Sequence, residues 1–348
     1  MAAREKVITI VGGGLAGLTL GISLRQQQVP VLIHEASHYP RHRVCGEFIS
    51  GGGLKVLEGL GLRDVLTAAG ARPATRVQFH TANRASSVYE LPERAWCLSR
   101  YRLDACLAEH FRSSGGDLKE NSRWPQTVCD PGVVRATGRR AQPTSNGWRW
   151  FGLKVHVHGP RLGADLEMHG VANGYVGLCQ LSGDLVNVCG LFWSRQPEPQ
   201  LGERWRDWLL GRPGSQLHER LAGAEFDLDS FSTIAGLPLR PRRAQDLPEI
   251  CVGDSLTMIP PVTGNGMSMA FESAALATDA LVRYSRGDAD WEQARQQIAK
   301  KCDSSFGGRL RVAWTLQRCL LLPGWGTVLA TAVTRSGFLW RRLFQLTR

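Results

Sequence analysis

Residues 6–36 read KVITIVGGGLAGLTLGISLRQQQVPVLIHEA, and this stretch decides the fold. Val7, Ile8, Ile10 and Val11 form a short, mostly β-branched run of the kind buried on both faces of a parallel sheet. Glycine ends the run. Gly12-x-Gly14-x-x-Gly17 has dinucleotide spacing: Gly12 for a tight turn, Gly14 for close approach of the backbone to a pyrophosphate, and Gly17 for close packing of the next helix on the strand. Leu15, Leu18, Ile22 and Leu24 give that helix an apolar face, and its free N-terminal amides point at the phosphates. Val31-Leu32-Ile33 predicts a second strand, followed by Glu35, 18 residues past Gly17. A carboxylate there accepts from a ribose 2′-hydroxyl and repels a 2′-phosphate, which suits FAD or NAD better than NADP.

The 348 residues suffice for one large or two modest cores, and 43% hydrophobic with 21% charged residues is ordinary for a soluble globular protein. The N-terminus runs directly into the first strand, which predicts a cytoplasmic protein without a signal or transit segment. Nine cysteines, at 45, 97, 106, 129, 179, 189, 251, 302 and 319, are scattered and never spaced C-x-x-C. They predict reduced thiols, with neither a disulfide framework nor a zinc site. His34, His38 and His42 lie four apart but cross a strand end and Pro40, so helical metal spacing does not apply and no metal is expected. His156 and His158 alternate on a predicted strand and are expected on one ordinary face.

The formal charge is +11, yet from Arg309 to the end there are seven arginines and no acid. With no RNP-like, zinc-finger or helix-turn-helix pattern, no nucleic-acid partner is expected. That basic end is either a solvated face or a surface for anionic lipid or an acidic partner.

Downstream of Glu35, Gly51 to Gly53 opens a helix carrying Leu54, Val56, Leu57 and Leu60, and Thr75 to Leu91 alternates about a polar turn, as a hairpin does. Leu103, Leu107 and Phe111 are at helical spacing, and Val133 to Gly138 predicts a short strand and turn returning to the first sheet. From Gly147 to Trp193 the period becomes two, which predicts an antiparallel sheet whose inner face walls a pocket; Glu203 to Leu221 predicts an amphipathic helix. Pro238 to Pro248 is expected to be a solvated loop with Arg240, Arg242 and Arg243. Ile250-Cys251-Val252 ends in Gly253-Asp254, and a second glycine turn, Gly264-Asn265-Gly266, opens a long alanine-rich helix. Two amide-rich anion pockets far apart in sequence suggest one long ligand held at both ends.

Gly12-x-Gly14-x-x-Gly17 with Glu35, Arg43-x-Cys45-Gly46-Glu47, Arg100-x-x-Leu103-Asp104, Ala136-Thr137-Gly138, and Gly253-Asp254 with Pro260-Pro261-x-x-Gly264-Asn265-Gly266-Met267 resemble the glutathione-reductase-type flavoproteins. The subgroup is the one holding geranylgeranyl reductases, para-hydroxybenzoate-hydroxylase-like monooxygenases and flavin halogenases. The resemblance implies an α/β fold: a Rossmann-like FAD-binding domain with a parallel sheet, an inserted antiparallel substrate domain, and C-terminal helices. The expected boundaries are 1–73, 96–146 and 240–285 for the FAD domain, 74–95 and 147–239 for the substrate domain, and 286–348 for the helices.

It also implies that Gly12, Gly14, Leu15, Ala16 and Gly17 cradle the cofactor, that Glu35 and Ala36 hold the adenosine ribose, and that Arg43 and Arg100 lie near the pyrophosphate. Val44, Cys45, Gly46, Ala136, Thr137, Gly138 and Pro261 are implied as cofactor contacts, Asp254 as the partner of the ribityl chain, and Gly264 to Met267 as donors to the N1/C2=O edge of the isoalloxazine. Cys45 is implied beside the ring, as a catalytic thiol or as a small buried one. This chain has Thr137-Gly138 where hydroxylases usually have Asp-Gly, and lacks the Trp-x-Ile-Pro run of halogenases and the Trp and Pro of the isoprenoid reductases. NAD(P)H or a separate flavin reductase is the expected electron source.

Cys319 to Thr334 is uncharged but too short and too broken by Pro323-Gly324 and Gly326 to span a bilayer. In Phe338 to Arg348, Leu339, Trp340, Leu343, Phe344 and Leu346 fall opposite Arg335, Arg341, Arg342 and Arg348 on a helical wheel. Such a basic amphipathic helix either makes peripheral membrane contact or docks on the substrate domain. The expected activity is FAD-dependent oxygenation of a small lipophilic or aromatic substrate. Reduction of carbon–carbon double bonds in an isoprenoid-like or polyketide-like lipid, and a non-enzymatic flavin redox partner at a membrane, are the alternatives.

Overall fold

A computed structural model describes residues 5–81, 84–125, 130–139, 149–171, 173–194, 201–237, 240–321 and 331–348. The first part of the chain forms β1 (Ile8–Val11), α1 (Leu15–Gln26), β2 (Val31–His34), β3 (Phe48–Ser50), α2 (Gly51–Gly59) and α3 (Arg63–Ala68). It continues through β4 (Arg72–Thr81), β5 (Arg84–Ala85), β6 (Tyr89–Cys97), α4 (Arg100–Ser113), β7 (Asp117–Lys119) and β8 (Val133–Arg135). Then come β9 (Arg149–His158), β10 (Leu166–Val171), β11 (Gly174–Gln180), β12 (Leu185–Ser194), α5 (Leu201–Leu209), α6 (Gln216–Leu221) and β13 (Glu225–Ala235). The chain closes with β14 (Ile250–Cys251), α7 (Gly266–Arg286), α8 (Trp291–Leu321) and the C-terminal helix α9 (Gly337–Leu346).

The first sheet has the order β14-β8-β1-β2-β7, and every pair in it is parallel. Such a sheet needs cover on both faces. α1 supplies part of it, and Leu15 through Ile22 are buried without a polar side because the sheet, α4 and α7 enclose them. The strand, helix, strand and acid of the opening stretch therefore form as their pattern predicts.

The second sheet runs β13-β9-β12-β11-β10-β4-β6-β3, with β5 paired to β4. It is antiparallel except where β10 lies parallel to β4. That junction joins strands separated by the whole return through α4, β7 and β8, so no hairpin dictates its direction. β3, from the segment next to the first sheet, joins this second sheet as an edge strand on β6. Leu153, Val155 and Val157 of β9 and Val186 and Val188 of β12 face a core closed by Trp205, Leu209, Leu217 and Leu221; the opposite face looks toward the nucleotide domain. The amphipathic stretch 203–221, expected as one helix, is two: Pro213 cannot continue a helix, and Gly211 and Gly214 take φ of 71° and 77° around it.

α9 docks. Trp340 and Phe344 pack against Val77, Phe79, Tyr89, Leu91 and Leu166 of the second sheet, while Phe338 stays 77% exposed. Among the described residues no helix is long and apolar enough to cross a membrane.

Candidate active site

The turn after β1 is shaped by its neighbours. Gly12 has φ of +109°, and a Cβ on it would stand 2.4 Å from the carbonyl oxygen of Ala136 at the end of β8. A Cβ on Gly17 would fall 1.9 Å from the Gly12 carbonyl oxygen. Gly14 differs: a Cβ there would meet nothing within 4 Å. Two of the glycines thus permit packing, and the middle one keeps a surface open. Gly14 caps α1 without a side-chain bond, and the first turn of the helix holds no acid. Its amides are left for an anion from outside.

Glu35 ends β2 against this turn. One carboxylate oxygen accepts from the Gly13 amide at 2.8 Å, and the other from the Ser37 amide at 2.9 Å and from the Arg41 guanidinium. Burial pushes its pKa up, but Arg41 and the two amides outweigh burial and hold it below the usual carboxylate range. The oxygen bonded to Gly13 keeps acceptor capacity for a hydroxyl. Arg41 and Tyr39, whose hydroxyl donates to the Gly13 carbonyl, are positioning residues that the sequence did not single out. Arg43 lines the cleft exposed, and no hydrogen bond or ion pair is found for it among the described residues. Ser122, Arg123 and Trp124 close this end.

At the other end Gly264 adopts φ of +60°, and Gly266, the first residue of α7, has nothing within 4 Å of an added Cβ. Asn265 caps α7 without a side-chain bond; its buried amide donates to the Thr347 carbonyl at 2.7 Å. Between the ends lies Asp254. Burial raises its carboxyl to about 6 against the opposing pull of Arg100 and Arg139.

One cleft of about 1200 Å³ takes in both turns. Every residue identified from sequence lines it except Gly17, which packs on Gly12, and Asn265, which holds Thr347. Beyond the turns it is walled by Val77, Phe79, Leu91, Leu166, Met168, Leu178 and Leu191 and closed by Trp340 and Phe344. The amphipathic pattern of α9 was legible, and docking on the substrate domain was one of its two expected fates; that it closes the cleft was not. The hydroxyl of Tyr175 is buried here with no hydrogen-bond partner among the described residues.

Arg100 is less free than expected. Its guanidinium forks onto Asp104 at 2.7 and 2.8 Å, and its amide donates to Glu47 at 2.8 Å. Cys45 lines the cleft beside it; burial pushes the thiol up, so it is protonated near neutrality. Glu47, fully buried at φ of 58°, accepts from His156 Nε2 at 2.7 Å and faces Lys154 Nζ at 3.8 Å. Lys154 in turn lies 3.1 Å from His42 Nδ1. His156 is therefore not on the ordinary face expected of it: it and Lys154 point toward the nucleotide domain, where β9 must bury them against a counter-charge. Arg242, expected in solvent, donates to the Ser255 carbonyl at 2.6 Å.

The cradle fits FAD. Two helix N-termini with uncapped amides face one cleft, a Cβ at Gly14 or Gly266 would intrude on it, and an acid stands at the ribose position. Comparison with known proteins agrees. Residues 4–145 match the FAD binding domain family. A 66-residue stretch, 19% of the chain, is 38% identical to squalene epoxidase erg1 of Aspergillus fumigatus. A 74-residue stretch, 21% of the chain, is 43% identical to the 3-amino-4-hydroxybenzoate 2-monooxygenase of Streptomyces cremeus. The matched stretches span 14% and 18% of those relatives. Among solved structures, a flavoprotein/dehydrogenase from Cytophaga hutchinsonii superposes with a TM-score of 0.74 at 15% identity, over 98% of this chain and 92% of that one. The flavin-dependent brominase Bmp2 does so at 0.72 and 16%, over 99% and 93%, and Pseudomonas aeruginosa PqsL, in complex with 2-aminobenzoylacetate, at 0.67 and 17%, over 98% of both chains. Residues 4–145 thus match an FAD binding domain, and the chain as a whole shares the fold of these solved structures.

Proposed function

Since residues 4–145 are an FAD binding domain on a flavoprotein fold and FAD is the cofactor, we propose that the protein is a monooxygenase acting on a small lipophilic or aromatic molecule. One observation carries the reading: the cleft that would hold FAD continues without a break into an apolar end closed by Trp340 and Phe344. FAD, when bound, supplies the redox chemistry with oxygen. The chain's own residues do the rest. The α1 amides and Arg43 would hold the pyrophosphate and Glu35 the ribose, while the α7 N-terminus would favour negative charge at the ring end. The apolar wall excludes water, and the Tyr175 hydroxyl is a polar handle for orienting a hydroxyl or amine on the substrate.

The experiment is oxygen uptake by purified holoprotein with NADH or NADPH, alone and with an added flavin reductase, on a panel of long-chain alkylphenols, aromatic amines and unsaturated isoprenoids. Substrate-dependent uptake with one labelled atom from ¹⁸O₂ in the product supports oxygenation. Cys45 favours a second reading, hydride delivery to a carbon–carbon double bond, because its thiol is protonated and lines the cleft where a proton donor would be needed. Anaerobic reduction of an unsaturated isoprenoid, lost in Cys45→Ala with FAD still bound, would select it.

A further inference from the structure

The second sheet carries a cluster that the proposed chemistry does not use. In the parallel pair of β4 and β10, His80 stands opposite His169, and their rings stack 4.2 Å apart at 5°. Glu167, two residues before His169, projects from the same face. Its Oε2 lies 2.9 Å from His169 Nε2 and 3.6 Å from His80 Nε2, and none of the three residues is more than 5% exposed. One ligand atom from each can gather within 4.8 Å of the others.

The protonation pattern is set by a fourth residue. Gln216, the first residue of α6, turns its amide oxygen to His80 Nδ1, and an amide oxygen only accepts. Nδ1 therefore carries a proton, and in the neutral ring the lone pair is on Nε2. That Nε2 is buried with no hydrogen-bond partner among the described residues. An oriented neutral imidazole whose far nitrogen is fixed by an outer hydrogen bond is the form in which histidine binds a metal.

We propose that His80, Glu167 and His169 form a site for one first-row divalent cation of the zinc class. Ligand atoms around tetrahedral zinc stand about 3.4 Å apart, and the two distances above bracket that spacing. A pocket of about 300 Å³ lies beside His80 and His169, edged by Arg212, Ser215 and Gln216. The ion would clamp β4 to β10 under α6. Arg220 sets a limit on affinity: its Nε donates to Glu167 Oε2 at 3.2 Å and its far nitrogen stands 3.1 Å from Oε1, so it competes with the ion for the carboxylate.

The test is calorimetric titration of chelator-stripped, FAD-loaded full-length protein with ZnCl₂, followed by zinc-edge X-ray absorption on the complex. One equivalent should bind with a first shell of nitrogen and oxygen only. His80→Ala and His169→Ala should weaken binding at least about 10-fold with flavin content unchanged, and Arg220→Gln should tighten it. Absence of stoichiometric binding, sulfur in the shell from the free cysteines, or unchanged affinity in both histidine variants would overturn the proposal. Should the histidine variants fail to fold, the first shell of wild type and the direction of the Arg220→Gln effect decide it.

Discussion

The turn at Gly12 is pressed against Ala136, since a Cβ on Gly12 would stand 2.4 Å from the Ala136 carbonyl oxygen, whereas a Cβ on Gly14 would enter empty space. Two residues of one motif therefore answer to different demands. Gly12→Ala adds a clash to a φ of +109° and should destabilise the flavin-free protein by at least ~2 kcal/mol. Gly14→Val sits at an unstrained φ of −83° and should leave its stability within ~0.5 kcal/mol while lowering FAD affinity roughly 100-fold, about 2.7 kcal/mol. Urea melts of both variants beside flavin fluorescence titrations separate the two effects; equal stability losses would refute them.

Glu47 and Lys154 are both fully buried, and His156 shares the carboxylate. Glu47→Gln leaves a buried ammonium without its counter-charge and should cost about 3 kcal/mol or more. Lys154→Met added to it should restore at least half of the loss, because the stranded charge is then gone. A double variant no more stable than the single one would show that the pair is not coupled.

How much of this was legible follows from contact range. β1, the glycines, α1, β2 and Glu35 lie within one short segment, and their packing obeys strand and helix periods that a sequence displays directly. Glu47 and His156 are 109 residues apart, and nothing in the alternation of β9 reveals that its polar face meets a carboxylate rather than water. The stacked His80 and His169 are hidden for the same reason: they meet across a parallel strand pair, which no helical or paired-cysteine spacing marks. Pro213 was present to break the helix predicted over 203–221, but the amphipathic period across it was the stronger signal.

Asp254 imposes a pH signature on the flavin-free protein. Burial raises its carboxyl from 3.8 in the unfolded chain to about 6. The folded state therefore holds the proton more tightly, and the associated stability is complete below pH ~4 and is lost as pH rises through ~6, by up to about 3 kcal/mol. Asp254→Asn abolishes this term. Relative to wild type it should gain stability between pH 4.5 and pH 7 in urea midpoints; a difference independent of pH would contradict the assignment.

Trp340 stacks on Tyr89 with ring centres 5.9 Å apart and closes the apolar end of the cleft. Trp340→Ala should cost about 3 kcal/mol of stability and admit water to the substrate end. The expected kinetic mark is uncoupling: oxygen consumption persists while the fraction appearing in product falls and peroxide rises. A variant with unaltered coupling would place the substrate elsewhere.

The central claim is that one FAD spans from the turn at Gly14 to the turn at Gly266, and flavin fluorescence titration of apoprotein tests it most directly. The account expects one FAD per chain, with affinity falling roughly 100-fold in Gly14→Val and also in Gly266→Val, each folded. A chain that binds no FAD, or one whose affinity ignores either substitution, would contradict it.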